Sequence, residues 1–254
     1  MKKQFLLLAI LMAAASFCCN PVNAQSSTYL NLGLNLPQGD FGRKVDNCIL
    51  YSDGIPGGGA NTGFNVGFKL ISDTKATGLG FMLSIDGLYN NLQKSLGSEH
   101  FVDYYVPEIE GVELNVRNPK YLNIPLMIGL NYAFDFNRYF GVFVEGAAGI
   151  DVRFIIPCKI TAFDYSLDLK PDYTYTKTYA TKFSFAYQFG GGVKICDAIT
   201  LGVSYFDLGK TLVYGQTEKL LKTTSSTPVI GEKDTFKHGQ LNTKMLVVRL
   251  GIHL

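Results

Sequence analysis

Eight segments of this chain alternate apolar with other residues at a period of two, and none of them carries a helical period. They run at roughly 28–36, 62–71, 78–92, 121–134, 139–154, 183–195, 198–209 and 242–254. Successive side chains of a strand point to opposite faces, so each segment predicts a strand with one greasy face. "YLNIPLMIGLNYAF" (121–134) shows the pattern most sharply. Leu122, Ile124, Leu126, Ile128, Leu130 and Tyr132 share one face, and Asn123, Pro125, Met127, Gly129 and Asn131 share the other. Pro125 removes a ladder donor in mid-strand, which a central strand of an ordinary sheet rarely tolerates.

The connections alternate as well. "SDTKAT" (72–77), "DFNR" (135–138) and the residues around Cys196-Asp197 are tight polar turns, whereas 37–61, 93–120, 155–182 and 210–241 are long. Long and short links trade places along the whole chain. An even number of strands joined this way predicts an eight-stranded antiparallel up-and-down transmembrane β-barrel, with short periplasmic turns and four long extracellular loops. Alternation through 158–169 and 173–179 further suggests that the third loop extends its strands beyond the membrane. A soluble barrel of the lipocalin kind alternates too, with its apolar residues inside and its polar residues outside. The minority face separates the two. It carries Lys69, Ser84, Asp86, Asn123, Glu145, Asp151, Arg153, Gln188, Lys194 and Arg249 among many glycines, and charged residues make up only 17% of the chain. So sparse a set, mixed in sign, suits a lumen better than a hydrated exterior. Tyr89, Tyr132, Phe134, Tyr139, Phe140, Phe154, Phe183 and Tyr205 fall near predicted strand ends, where interfacial aromatic belts lie.

The N-terminus predicts export. Lys2 and Lys3 precede an apolar run from Phe5 to Ala15, and Val22-Asn23-Ala24 offers small residues for cleavage before Gln25. Residues 1–24 therefore read as a cleaved signal peptide and 25–254 as the barrel domain. The full chain has a formal charge of +2, and its first 24 residues hold two lysines and no acid. The remainder is near neutral, with no basic excess for a nucleic-acid partner. Cys18 and Cys19 leave with the signal. Cys48, Cys158 and Cys196 remain, too few for a disulfide framework. Cys48 and Cys158 fall in the first and third long loops, where they either bridge those loops or remain thiols.

At this point the chain resembles a family. The Tyr-Leu-x-Ile-Pro-Leu core at 121–126, the signal ending in Ala24-Gln25, the four-loop layout and the closing "VVRLGIHL" look like the PorT-like outer-membrane β-barrels of Bacteroides-type bacteria. The layout spans nearly all of 25–254. Asn123 stands where the family often has an acid, and Leu254 where many outer-membrane proteins end in an aromatic residue. The resemblance implies a barrel delivered by the general export and outer-membrane insertion machinery of a Gram-negative cell. A founding member is tied to type IX secretion.

An eight-stranded barrel is just wide enough for side chains to fill it. Lys69, Asp86, Glu145, Asp151, Arg153, Lys194 and Arg249 supply three acids and four bases for a lumen polar network. Buried charge is costly unless paired, so carboxylate–guanidinium contacts are expected among them. The functional alternative is a gated ion path. His100 and His238 lie in long loops near Glu99, Asp103 and Asp234, and His253 is penultimate, but no GxSxG or HExxH accompanies them. "GIPGGGANTG" (54–63) lacks the Lys-Ser/Thr of a phosphate loop and precedes a strand, so it reads as a flexible outer loop. "FGGGV" (189–193) reads as a place of bending or close packing. No catalytic, cofactor-binding or metal residue is predicted, and the chain is read as non-enzymatic. The tyrosine-rich 103–113 and 172–180 suit a protein or glycan partner at the extracellular loops, beside outer-membrane lipid around the wall. The alternative function is an accessory part of a type IX-like export apparatus, or a narrow channel.

Overall fold

A computed structural model describes residues 25–43, 49–50, 57–73, 78–93, 112–137, 139–164, 173–196, 198–221 and 229–254. Its strands are β1 (Gln25–Gln38), β2 (Gly63–Asp73), β3 (Leu79–Asn91), β4 (Val112–Arg117), β5 (Lys120–Asn137) and β6 (Phe140–Ile156). They continue with β7 (Cys158–Asp164), β8 (Tyr173–Tyr179), β9 (Lys182–Ile195), β10 (Ile199–Leu221) and β11 (Val229–His253). One four-residue helix, α1 (Gly39–Gly42), follows β1. Among the described residues no helix is long and apolar enough to cross a membrane.

The strands close on themselves. In the order β11–β1–β2–β3–β5–β6–β9–β10 each pairs antiparallel with the next, and β10 pairs back with β11. Eight strands thus form the ring, joined at one end by the three tight turns expected from the sequence. Cys196, in the last of these turns, takes a left-handed φ of 51°, uncommon for a residue with a side chain. At the other end β4, β7 and β8 continue β5, β6 and β9 upward. β4 pairs with β7, β7 with β8, and β8 with the upper part of β10. Half of the wall therefore rises past the ring as a five-stranded sheet with β10 and β11. Two of its breaks hold a proline: Pro119 separates β4 from β5, and Pro157 separates β6 from β7. The ladder pairs Lys120 with Ile156 below and Arg117 with Lys159 above, so both prolines sit on one line across neighbouring strands. Proline lacks the N–H that a continuous ladder would use there.

Several expectations need correction. Residues 210–241 are mostly strand, because β10 runs to Leu221 and β11 starts at Val229. Here Thr211, Val213 and Thr217 are buried while Tyr214, Gln216 and Leu220 are exposed. The period of two persists, but the outward face is mixed, with Lys210, Gln216 and Glu218 among Leu212, Tyr214 and Leu220, and the continuous apolar stripe that marks a lipid-facing strand is lost. Tyr205 then lies within the wall, beside Phe189 with ring centroids 5.2 Å apart, because β10 continues well past it. Gly57 to Ala60 are buried rather than a flexible outer loop. A Cβ on Gly58 would meet the Phe41 carbonyl oxygen at 2.7 Å and Leu241 Cδ1 at 3.1 Å. These glycines let a connection pass through the barrel mouth. In "FGGGV" the expected close packing is present: a Cβ on Gly192 would run into the Leu201 carbonyl oxygen.

Burial settles which face is which. Phe81, Ile128, Phe183 and Phe185 are 68–70% exposed, and Leu34, Phe64, Phe68, Leu130, Val144, Ile150, Leu201 and Val248 are exposed with them. The alternate residues, including Asn31, Asn65, Lys69, Asp86, Asn123, Glu145, Asp151, Arg153 and Arg249, are buried. The greasy face looks outward and the polar face inward, the reverse of a soluble barrel. Pro125 is buried on the inner face opposite Asp151. The β3–β5 ladder breaks beside it, pairing Ile85 with Leu126 and resuming only at Leu88 with Asn123. A lysine at Ile128, halfway along β5, should lower unfolding stability in lipid vesicles by about 2–4 kcal/mol. A soluble barrel with that face in water would change by no more than about 0.5 kcal/mol, which urea titration of the vesicle-inserted protein would reveal.

Candidate functional site: the charged lumen and its mouth

The seven residues expected to form one network fall into three places. In the lower lumen, Glu145 on β6 accepts hydrogen bonds from Lys69 Nζ of β2 at 2.9 Å and from Arg249 Nη2 of β11 at 2.8 Å. Ser204 Oγ of β10 donates to the same carboxylate at 3.1 Å. The other guanidinium nitrogen of Arg249 lies 3.5 Å from Asp86 on β3. Four strands on different sides of the barrel thus meet on one carboxylate. Two cations face two carboxylates there, which offsets much of the cost of burying them.

Farther up, Arg153 and Asp151 of β6 form a second pair, 3.4 Å apart and almost wholly buried. Arg153 also donates to Asn123 Oδ1 at 2.9 Å, to the Leu208 carbonyl at 3.2 Å and to Thr211 Oγ1. The two clusters are separated. Ala147 lies between Glu145 and Asp151 on β6, Phe206 between Ser204 and Leu208 on β10 and Val247 above Arg249 on β11, and these three apolar side chains face inward. The ring of Phe206 lies 5.2 Å from the Arg249 guanidinium and closes the lower cluster from above. Lys194 belongs to neither cluster. It sits at the turn-end mouth and pairs with the half-exposed Asp135 at 3.1 Å. Its position as the penultimate residue of β9 places it there, something side-chain alternation alone does not reveal. Around the lower cluster, Asn31 Nδ2, Ser84 Oγ, Asn131 Nδ2 and both amide atoms of Gln188 are buried without a protein partner. Such groups are ordinarily met by ordered water.

The opposite mouth is built from apolar residues that the pattern did not single out. Phe41 of α1, Ile49 and Leu50 are at most 1% exposed and pack in one cluster with Leu88, Leu92, Tyr121, Ile155, Ile160, Tyr175 and Leu241. Backbone bonds hold the incoming segment. Gly58 N–H donates to the Asp40 carbonyl at 2.7 Å, Ala60 N–H to Phe41 at 3.0 Å, and Ile49 N–H to Gly57 at 2.9 Å. Two tyrosines fasten it to the wall: Tyr121 donates to the Gly58 carbonyl at 2.6 Å and Tyr179 to the Leu50 carbonyl at 3.0 Å. In the sequence, the signal for this packing is the apolar Ile49-Leu50 pair, in a connection that otherwise reads as a loop.

Cys158 is buried in this same cluster, while Cys48 lies outside the described residues. His100, Glu99 and Asp103 also lie outside them. His238 is buried in the upper sheet, 2.8 Å from Lys177 Nζ, whereas Asp234 is exposed. His253 lies at the turn end beside Tyr29, with ring centroids 5.2 Å apart. No group of three metal-ligating side chains occurs among the described residues.

The buried lower cluster should be far more sensitive than the rim. Glu145→Ala is expected to destabilise the barrel by about 3–5 kcal/mol, because two buried cations then face one carboxylate. Lys194→Ala, at a solvent-exposed pair, should cost less than about 1 kcal/mol. The temperature at which gel migration shifts from folded to unfolded form would rank the two variants.

The chain was compared with known proteins. No curated protein matches the sequence. Among solved structures it is similar to Ail of Yersinia pestis, in complex with the heparin analogue sucrose octasulfate, at 13% identity and a TM-score of 0.40. That likeness covers 90% of this chain and 97% of Ail. It is also similar to OprG from Pseudomonas aeruginosa at 11% identity and a TM-score of 0.38, covering 91% and 97% of the two chains. Neisserial surface protein A matches at 9% identity and a TM-score of 0.38, covering 90% and 96%. The model of the outer membrane protein beta-barrel domain matches residues 5–227. With its ring of eight strands and outward apolar face, the chain belongs to the outer membrane protein β-barrel family.

Proposed function

We propose that this protein is a non-enzymatic outer-membrane barrel whose lumen is closed and whose raised half-wall presents a binding or architectural surface outside the cell. The observation that carries this reading is the packing of Phe41, Ile49 and Leu50, the described apolar residues of the first long connection, in the barrel mouth over the lumen. Below that apolar cap, two charge clusters cross an interior already near the width that side chains fill. An ion would have to break paired charges and then cross a dry layer, both costly steps. The wall above the ring is polar and exposed at Tyr214, Gln216 and Lys233, as a surface meeting water and partners would be.

In this reading the tight turns face the periplasm and the raised sheet faces outward, the arrangement usual for such barrels. Residues 1–24 are a signal removed before Gln25. The narrower PorT-like resemblance rests on the 121–126 core and the layout, and with it the second reading, a part of an export apparatus.

Two measurements test the proposal. The protein in planar bilayers should give no stable single-channel steps; such steps would overturn the closed lumen. Cys196 is exposed in the turn joining β9 and β10. On intact cells a membrane-impermeant maleimide should leave Cys196 unlabelled but label a Lys233→Cys variant, with Cys196 reacting once the membrane is opened. Labelling of Cys196 on intact cells would reverse the proposed sidedness.

A further inference from the structure

The wall bends where the ring gives way to the raised sheet. Thr178 and Tyr179 end β8, and the N–H of the next residue, Ala180, donates to the Tyr214 carbonyl at 3.0 Å. Immediately beyond, β10 shifts register against β11 between Leu212 and Tyr214. A shallow groove of about 560 Å³ opens along this bend across β8, β10 and β11. Its outer rows are Thr178, Gln216 and Thr235, then Ala180, Tyr214 and Lys237, each row in register across three strands. Lys182 at the start of β9 stands over the Tyr214 ring from below.

We infer that this groove binds the phosphorylated sugar headgroup of a lipid in the outer leaflet. Three observations converge on that occupant. Height comes first: Lys182 is followed directly by Phe183 and Phe185, whose side chains face outward and are 69–70% exposed. The groove therefore begins where the lipid-facing belt ends, at headgroup level. Charge is the second. Lys182 and Lys237 flank the groove, and among the described residues no carboxylate lines it. Asp234, one row above, alternates to the other face of the sheet, and the nearest acid above on the groove's own face, Glu218, pairs with Lys233 at 3.1 Å. The acid below, Asp207, is held by Lys244 at 3.3 Å and by Tyr187 at 3.0 Å.

Chemistry is the third. A tyrosine ring flanked by two hydroxyls and an amide is the lining that stacks on a sugar and hydrogen-bonds its hydroxyls. Two lysines supply the point charges that a phosphate requires. Elsewhere at the rim Lys120 of β5 stands over Tyr89, 5.7 Å from the ring centroid, near the exposed cross-strand pair Arg117 and Lys159. Positive charge alone therefore does not distinguish this groove; the tyrosine ring with its hydroxyls and amide does. A free sugar phosphate would engage the groove alone; a lipid also lays its chains on Phe183 and Phe185. The inference rests on the proposed sidedness, which Cys196 labelling tests separately.

The test uses the full barrel in nanodiscs containing a phosphorylated glucosamine-disaccharide glycolipid, extracted gently and weighed intact by native mass spectrometry. The wild type should retain one glycolipid per barrel. The double variant Lys182→Gln/Lys237→Gln should retain about tenfold less or lower, since each interfacial lysine contributes roughly 1 kcal/mol toward an anionic lipid surface. Lys120→Gln should retain as much as the wild type. Raising the salt should release the lipid from the wild type, a readout that does not depend on any variant folding. Equal retention by the double variant, or equal retention of the dephosphorylated glycolipid, would overturn the inference. So would equally tight binding of the acyl-free disaccharide phosphate, which would point to a soluble glycan.

Discussion

Closure of the backbone ladder is the constraint on which the rest of this molecule depends. In a bilayer every backbone N–H and C=O must find its partner within the protein, and a sheet does so only by having no edge. Here β10 returns to β11 and β11 pairs with β1, so the ring has none. Once the ring is closed, alternation does the sorting. One face must be apolar because lipid meets it, and the other is free to hold whatever the lumen can satisfy. That freedom is why Lys69, Asp86, Glu145, Asp151, Arg153 and Arg249 can occupy a membrane protein at all. Each lies on the inner face, within reach of an opposite charge on its own or another strand.

Ring and lumen depend on each other. An eight-stranded ring is narrow, so Lys69 from β2, Arg249 from β11 and Ser204 from β10 all reach Glu145 on β6. A side-chain bridge across the barrel constrains its cross-section as the ladder constrains its circumference. Glycine makes the room: a Cβ on Gly202 would stand 3.1 Å from the end of the Phe143 ring, which fills the lumen near the turn end. The scattered glycines of the inner face are therefore part of the packing, letting a ring or a long cation pass in front of the wall.

How far this was legible depends on which force wrote the pattern. Strand number, strand order and the inward set from Lys69 to Arg249 could be read because the lipid boundary enforces a period of two. Where lipid no longer touches the wall, the signal fades. In β10 above Gly209 the outward residues Lys210, Leu212, Tyr214, Gln216, Glu218 and Leu220 mix polar with apolar, and a strand there looks like a loop. The split of the seven charges was also hidden. Alternation shows which side a residue faces, whereas height relative to Phe206 or to the end of β9 depends on strand tilt and register. The cap is the clearest case. Phe41, Ile49 and Leu50 carry no period, because an irregular segment held by Tyr121 and Tyr179 obeys no repeat.

Proline marks the limits of the lipid-bound ladder. Pro125 lies well inside the ring and was the puzzle of its strand; there the β3–β5 ladder skips two positions while β5 stays paired to β6 through Pro125 itself. A break on one side only is survivable because the proline faces the lumen, where polar side chains and water, unlike lipid, can meet a stranded carbonyl. Pro119 and Pro157 act differently. They fall side by side at the rim, between strands that continue upward, where water replaces lipid and a missing donor costs little. The same residue is thus tolerated for one reason in the wall and used for another above it. In both places access to polar partners decides where the ladder can be interrupted.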